Sequence, residues 1–242
     1  TLPGNKFDYS IILDVLNLVG EGKIAVIKST LSPKTTDEIQ KKHPNIYVMH
    51  SPEFLLERKA AYDAAYPNRN IVGYTTKSES RAKEVMRVLP HSPYNAIIPA
   101  LEAEMVKYAG NIFLFMKVIY ANIFYDVPSN LGVDYGRIKE AVAADPRIGP
   151  SHLDPIQASS HTDGRNKGAK EDDTCERGAG GHCFIKDFAA FIALYENVVG
   201  DKEGIELLRK LEGKNIKLLV DSNKDLDLLE GVYGREEIKK YT

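Results

Sequence analysis

Cysteine is scarce in this chain of 242 residues: only Cys175 and Cys183 occur, which is too few for a disulfide framework and favours a reducing compartment. An excess of charge of one sign is also missing. The 32 basic and 34 acidic residues leave a net charge of −2, which argues against a nucleic-acid-binding surface. The opening residues show no signal-peptide pattern, and Lys117 and Asn122 interrupt the longest apolar stretch, residues 112–125. These absences favour a cytoplasmic globular protein that does not enter a membrane.

A glycine-rich phosphate-binding turn is missing as well. The chain has no Gly-x-Gly-x-x-Gly sequence, the element that holds a pyrophosphate in dinucleotide-binding folds. If the fold is of that type, we expect the half that holds the pyrophosphate to lie outside these 242 residues. The first residue is Thr rather than Met, so we expect either a fragment or a reduced form of a longer protein.

Short apolar runs alternate with helical patterns in the first hundred residues. The runs lie at 24–27, 46–49, 70–73 and 95–98, and the helical patterns at about 8–19, 36–42 and 78–89. This alternation predicts an α/β fold with a doubly wound, Rossmann-like parallel sheet. Ligands bind such sheets at the carboxyl ends of strands, so Ser29, Thr30 and residues 51–53 are predicted at a site edge. Turn chemistry and a solvated acid explain the same residues without a function.

The longest helical pattern runs from residue 101 to 131 and is apolar nearly all round. Such a helix is buried either in a core or at an obligate interface. Lys107, Asn111 and Asn122 interrupt it, and a buried lysine or amide needs a partner. A lysine that reaches solvent and an amide contact between helices are the alternatives to a functional role. Pro128 is expected to kink or end the helix near its last turn.

Cys183 lies in the most distinctive stretch of the chain, Gly-Ala-Gly-Gly-His-Cys-Phe-Ile-Lys-Asp at 178–187. A thiol near a helix N-terminus and a lysine tends to ionise, and the thiolate is the nucleophile. Asp187 is predicted as the N-cap of the following helix. Cys175 stands among acidic residues, which disfavour a thiolate, so Cys183 is the predicted reactive thiol. The alternative is an inert, buried cysteine in a capping turn.

The remaining segments are predicted from their composition. Helices are expected at about 135–144, 188–198 and 202–220, a long polar loop at 151–177, and a charged tail at 221–242. A metal site is a minor alternative, because His152, His161, Cys175, His182 and Cys183 share one stretch. Their spacing matches no regular zinc pattern, so we expect no metal.

Several blocks of residues in a fixed order resemble one enzyme family. They stand at 28–33, 51–57, 63, 67–69, 73, 104–111, 132–134, 145–149 and 180–187. Together they resemble the UDP-glucose 6-dehydrogenase family, which includes the GDP-mannose and UDP-N-acetylhexosamine dehydrogenases. Motifs that occur together in order are far more specific than any one of them.

The resemblance implies an NAD-dependent enzyme that oxidises the C6 alcohol of a nucleotide sugar, of the UDP-glucose type, to a carboxylate in two steps. By this likeness Cys183 would trap the aldehyde as a thiohemiacetal and then carry a thioester. Lys107 and Asn111 would stabilise an oxyanion. The same likeness makes Thr30, Glu53 and Asp187 catalytic residues that orient or deprotonate a water or alcohol.

The resemblance also implies binding roles and a partner. Cofactor-binding residues would be Ser29, Thr30, Glu57 and Lys186, and substrate-binding residues would be Glu53, Lys107, Asn111 and Gly180. Helix 101–131 would form a homodimer interface. The implied domains are a partial NAD-binding domain at 1–99, a helical central domain at 100–220 that carries the cysteine, and the tail at 221–242.

Three departures from the family pattern leave a second interpretation open. The glycine-rich NAD-binding half and the family's UDP-binding domain are not in the sequence, and the loop at 151–177 differs from the family's short link. Ile185 also replaces a common proline. We therefore expect this chain alone to bind NAD weakly or not at all, and a non-catalytic dimerisation module is the alternative. The sequence does not identify the sugar.

Overall fold

The computed structural model describes residues 7–55, 59–155 and 177–242. They fall into two compact units, residues 7–109 (the first unit) and residues 110–242 (the second unit). The boundary lies within a long helix, whereas the sequence places a domain boundary at residue 99.

Helices and strands alternate in the first unit. In chain order they are α1 (Ser10–Leu16), β1 (Ile24–Ile27), α2 (Thr35–Lys42), β2 (Tyr47–His50), α3 (Ala60–Ala65), β3 (Arg69–Tyr74), α4 (Ala82–Val88) and β4 (Tyr94–Pro99). A 3-10 turn, Glu79–Arg81, precedes α4. The predicted strands are present, and the Rossmann-like α/β fold class is confirmed.

The strands form one sheet in the order β1-β2-β3-β4. The pairs β1–β2 and β3–β4 are parallel, but β2 and β3 are antiparallel. The sheet is therefore mixed, and the expectation of parallel strands throughout is wrong at this one pair. A buried apolar run has the same composition in either direction, so the sequence pattern does not reveal the reversal.

Helices make up the second unit. After the C-terminal part of α5 (Ala100–Asn130) come α6 (Tyr135–Ala143), α7 (Gly181–Val198), α8 (Lys202–Asp221), α9 (Leu226–Tyr233), α10 (Arg235–Ile238) and a 3-10 turn at Lys239–Tyr241. Pro128 lies inside the last turn of α5, close to the predicted end.

A core between α5 and α7 holds the second unit together. Phe115 and Phe188 are both buried and stack with their ring centroids 3.8 Å apart. Val118, Ile119 and Ile192 are also fully buried in this cluster. By length and composition alone α5 could cross a membrane, but buried helices of globular proteins pass the same test, and these contacts make its inner face part of a protein core.

Residues 221–242 are folded helices rather than the predicted charged tail. Leu229 and Ile238 are buried in a cluster that also contains Ile185, Ile216 and Leu219. Ten of the 22 residues of this segment are charged, so its average composition hides a helical apolar face.

Gly73 marks the closest approach of backbone segments in the first unit. A Cβ atom at this position would lie 2.5 Å from Ala103 Cβ, 3.0 Å from Ala100 Cα and 3.2 Å from the His50 carbonyl oxygen. The N-terminal turn of α5 therefore packs against β3 only because residue 73 has no side chain.

We predict that Gly73→Ala lowers the free energy of unfolding by about 1–3 kcal/mol, the usual cost of overpacking. Chemical denaturation measures the change. Gly20→Ala is the matched control in the same unit, since a Cβ there meets only a lysine Cγ at 3.8 Å. Equal stabilities of the two variants would contradict the steric argument.

Candidate active site

Two of the predicted site loops meet at one edge of the sheet. Because β1 and β2 are parallel, their carboxyl ends lie side by side, and Ser51 N donates to Ile27 O at 2.9 Å. Lys28 Nζ lies 3.2 Å from Glu53 Oε2 just beyond these ends. Ser29 and Thr30 follow Lys28 in the same loop, with Ser29 exposed and Thr30 half-buried.

Lys107 reaches the same turn from α5. Its Nζ donates to the Glu53 carbonyl oxygen at 2.5 Å and lies 5.6 Å from the centre of the Phe54 ring. The Arg69 guanidinium lies 3.8 Å from the centre of that ring. Two cations therefore contact one aromatic ring and fix the turn that carries Glu53. The structure brings Glu53 and Lys107 together, as a shared role requires.

Glu104 is a buried carboxyl group that the sequence shows only as part of a family block. Its oxygens accept hydrogen bonds from Lys34 N at 2.6 Å, Thr36 N at 2.8 Å and Thr36 Oγ1 at 2.6 Å. Burial raises its pKa. Glu104 thus accepts hydrogen bonds at the N-terminus of α2 and ties the loop after β1 to α5.

His50 is a buried residue at the same sheet edge that the sequence pattern does not indicate. It is the last residue of β2 and is fully buried. Its Nδ1 lies 2.9 Å from the Ile27 carbonyl oxygen, so Nδ1 carries the proton, and Nε2 has no hydrogen-bond partner among the described residues. Burial, helped by the positive charges of Lys28 and Lys107, lowers its pKa from 6.5 to about 4. The apolar strand pattern around His50 gives no sign of this.

Cys183 lies in the first turn of α7, because that helix begins at Gly181. The sequence predicts a start at residue 188 with Asp187 as the N-cap, and this prediction is wrong. Gly180 is the N-cap, and Gly181 has a φ of +78°, a conformation that favours glycine. Glycine's low helix propensity makes the start look like loop. The Cys183 side chain is exposed.

Asp187 is buried, with only 1% of its surface exposed, one helical turn beyond Cys183. Asn111 Nδ2 donates to its Oδ2 at 2.6 Å, and Lys186 Nζ donates to its Oδ1. Asn111, Lys186 and Asp187 therefore form one hydrogen-bonded group between α5 and α7. Cys183 and Asp187, four residues apart, lie on the same face of α7.

Some predicted residues fall outside the described residues: Glu57, His161, Cys175 and most of the polar loop, residues 156–176. Within the described ranges, no three His, Cys, Asp or Glu side chains are placed to hold a metal ion. His152 Nδ1 is buried without a partner among them, and its ring packs edge-on against Phe184 at 5.8 Å.

Two models of one protein family match the N-terminal and middle parts of the chain. Residues 6–90 match the NAD binding domain of the UDP-glucose/GDP-mannose dehydrogenase family, and residues 101–164 match its central domain. Together they span more than half of the chain. The chain belongs to the UDP-glucose/GDP-mannose dehydrogenase family. The family's NAD-binding domain is thus present, which confirms the resemblance read from the motif blocks.

Curated relatives carry the same description. The chain is 28% identical over 216 residues to the UDP-glucose 6-dehydrogenase of Rickettsia bellii, a match that covers 86% of this chain and 45% of the relative. It is 29% identical over 220 residues to the UDP-glucose 6-dehydrogenase YwqF of Bacillus subtilis, with 88% and 44% covered. The chain thus spans about half the length of the curated relatives that it matches.

Solved structures of the family share the fold. A UDP-glucose dehydrogenase from Pyrobaculum islandicum superposes with a TM-score of 0.69 at 26% identity, over 95% of this chain and 50% of that one. A UDP-D-ManNAc dehydrogenase from Pyrococcus horikoshii gives a TM-score of 0.67 at 23% identity, over 90% of this chain and 49% of that one.

The neutral state of buried His50 predicts a pH dependence of stability. Its pKa is lowered in the folded protein, so between pH 6.5 and about 4 the unfolded chain binds a proton that the folded chain does not. Stability is lost as the pH falls through this window. Relative to His50→Gln, we expect the wild type to lose about 2 kcal/mol more between pH 7.5 and pH 5.

Urea titrations at the two pH values measure this difference. The comparison with the variant cancels the contributions of other groups, such as Glu104, whose raised pKa acts in the opposite direction. His91→Gln, at an exposed histidine, is the control and should follow the wild type. If the His50→Gln and wild-type slopes agree, His50 is not held neutral.

Proposed function

We propose that this chain carries the catalytic cysteine portion of an NAD-dependent UDP-sugar 6-dehydrogenase that converts a C6 alcohol to a carboxylate. The observation that carries this proposal is the exposed thiol of Cys183 in the first turn of α7, one turn before the buried group of Asp187, Lys186 and Asn111. The curated relatives named UDP-glucose 6-dehydrogenase make UDP-glucose the first substrate to test. A cytoplasmic location is proposed with it.

The carboxyl edge of β1 and β2 fits a nicotinamide dinucleotide. Sheets of this type bind ligands at that edge, and the hydroxyls of Ser29 and Thr30 stand there beside Lys28 as accessible polar groups. Ser29, Thr30, Glu57 and Lys186 are the residues we propose to hold NAD. When bound, NAD supplies the acceptor for two hydrides. One is lost in the oxidation of the alcohol and the other in the oxidation of the aldehyde.

Cys183 would form the covalent intermediates. After the first oxidation its thiolate adds to the C6 aldehyde and gives a thiohemiacetal, whose oxygen gains the negative charge. Loss of the second hydride from C6 converts this adduct to a thioester. Water then adds to the thioester carbonyl, and the C–S bond breaks to release the carboxylate and restore the thiol.

The polar groups of α5, α7 and the Glu53 turn would stabilise charge and move protons. Lys107 and Asn111, four residues apart on α5, would donate to the oxyanion as an ammonium and an amide. Asp187, Glu53 and Thr30 would orient the alcohol or the hydrolytic water, and a carboxylate, Asp187 or Glu53, would accept the proton. Substrate contacts are proposed at Glu53, Lys107, Asn111 and Gly180.

The full-length enzyme, supplied with NAD and UDP-glucose, should form two NADH for each sugar oxidised, which absorbance at 340 nm and product mass measure together. Cys183→Ser should abolish carboxylate formation, because an alkoxide is a far poorer leaving group than a thiolate. Cys175→Ser is the matched control and should retain wild-type turnover.

Two results would contradict the proposal. If Cys183→Ser kept forming carboxylate, another residue would be the nucleophile. If the wild type oxidised none of UDP-glucose, UDP-N-acetylhexosamines and GDP-mannose, the non-catalytic interpretation would replace it.

We also propose a homodimer built on the long helix, residues 101–131 in the sequence pattern. In the second unit, α5 exposes a stripe of large apolar side chains at spacings of three and four residues: Phe113, Met116, Tyr120, Ile123 and Val127, each more than 40% exposed. A contiguous stripe of this kind is typical of an interface rather than of a solvated helix face.

Ile123→Glu should convert the dimer to a monomer, because the interface would bury an unpaired carboxylate. Sedimentation equilibrium at micromolar concentration measures the mass. Leu207→Glu, at an exposed leucine of α8 outside the stripe, is the control and should leave the dimer intact. A monomeric wild type would exclude the proposed interface.

A further inference from the structure

The turn that precedes Cys183 is held by side chains from the end of α8 and the turn after it. Among the described residues, the hydrogen bonds that join them include Arg177 N to Ser222 Oγ (3.0 Å), Lys224 Nζ to Gly178 O (3.2 Å), Ala179 N to Asn215 Oδ1 (2.7 Å), Asn215 Nδ2 to Ala179 O (3.0 Å) and Gly181 N to Asp225 Oδ2 (2.7 Å). All of them use backbone atoms of residues 177–181, so the residue types of the turn itself do not predict them.

Asn215 both donates a hydrogen bond to the turn and accepts one from it. Its side-chain amide is 3% exposed, and its oxygen accepts from Ala179 N while its nitrogen donates to Ala179 O. An amide side chain offers a donor and an acceptor side by side without any change of protonation. Since Ala179 is fully buried, loss of the amide would leave both its N–H and its C=O without this partner.

Asp225 caps α7 from a distance of 44 residues in the sequence. The N-cap residue, Gly180, has no side chain, so the Gly181 N–H needs an acceptor from elsewhere, and Asp225 Oδ2 supplies it. A Cβ on Gly180 would lie 2.0 Å from that oxygen and 3.0 Å from Lys224 Cε. The cap thus requires glycine at position 180.

The backbone of Asp225 fits this role. Its φ of +53° lies in the left-handed region, which aspartate tolerates better than most residues. A carboxylate at a helix N-terminus is also favourable for the helix dipole. A strained residue that caps a helix of another segment is the kind of feature that a site retains for positioning.

We propose that Asn215 and Asp225 are positioning residues for the Cys183 thiol. They act through the glycine turn: they hold the first turn of α7 closed and so keep the thiol at the helix N-terminus. First turns of helices otherwise open readily, and a small displacement of a reacting group is costly for catalysis. The proposal rests on the role of Cys183 in the proposed function.

Hydrogen exchange of the purified chain, read by mass spectrometry, tests the first half of this proposal. Asn215→Ala and Asp225→Ala should each raise exchange at least tenfold in peptides that cover residues 179–183. Asp225→Asn, which keeps an oxygen acceptor, should restore most of the protection. Ile238→Val, a mild core change in the same unit, is the matched control. Unchanged exchange in both alanine variants would overturn the proposal.

The reactivity of the Cys183 thiol and the turnover of the enzyme test the second half of the proposal. Asn215→Ala changes no charge, so any effect on the thiol comes through the turn. We expect iodoacetamide to label Cys183 at least threefold more slowly at pH 7 in this variant, and kcat of the full-length enzyme to fall tenfold or more while KM for the nucleotide sugar changes less than threefold. The Ile238→Val control should match the wild type in both.

These measurements distinguish failure of the positioning role from failure of the proposed function. If the labelling rate and kcat of Asn215→Ala match the wild type while its exchange rises, the residue is merely structural and the positioning role is wrong. If the wild-type enzyme forms no NADH, the proposed function fails, and the labelling rate alone then decides whether Asn215 positions the thiol.

Discussion

A buried carboxylate sets the geometry of the second unit. Asp187 is 1% exposed, and a carboxyl group taken out of water costs free energy unless it is paired and hydrogen-bonded. Lys186 and Asn111 supply those partners, the second of them from α5. Phe188 follows Asp187 directly and Phe115 lies one helical turn after Asn111, and their stacked rings join the same two helices. Once Asp187 is fixed, the rotation of α7 is fixed too, and with it the face on which Cys183 lies.

The first unit shows a related arrangement at its sheet edge. Lys28, Lys107 and Arg69 bring three cations around the turn of Glu53 and Phe54, and His50 beneath them stays neutral because it is buried beside two of those cations. Neutral His50 adds no further positive charge there. The second unit thus holds Asp187 by burial and pairing, whereas the first unit combines the buried His50 with a more exposed ion pair, Lys28 with Glu53.

The sequence predicts much of this arrangement correctly. Runs of apolar residues locate all four strands, since a strand buried in a sheet needs such a run, and the ordered motif blocks identify the family. Lys107 with Glu53, and Asn111 with Asp187, are among the predicted site residues, and within each unit the structure brings these pairs together. A polar residue in an otherwise apolar element is informative because its burial requires a partner.

The misses have physical causes of their own. Glycine at 180 and 181 hides the start of α7, because a distant Asp225 supplies the cap that local sequence lacks. The helices of residues 226–238 are missed because their outer faces are charged. The antiparallel pairing of β2 with β3 is missed because a buried apolar strand has the same composition in either direction. His50 leaves no pattern at all. Each of these depends on contacts between residues far apart in the chain, which a local reading does not contain.

The central claim is that Cys183 is the thiol that does the chemistry, and timed iodoacetamide labelling of the wild-type enzyme tests it most directly. Peptide mass spectrometry follows the labelling of each cysteine while NADH formation is assayed in the same samples. The account predicts that Cys183 is labelled before Cys175 and that activity is lost in step with Cys183 labelling. Full labelling of Cys183 with activity retained, or loss of activity with only Cys175 labelled, would contradict it.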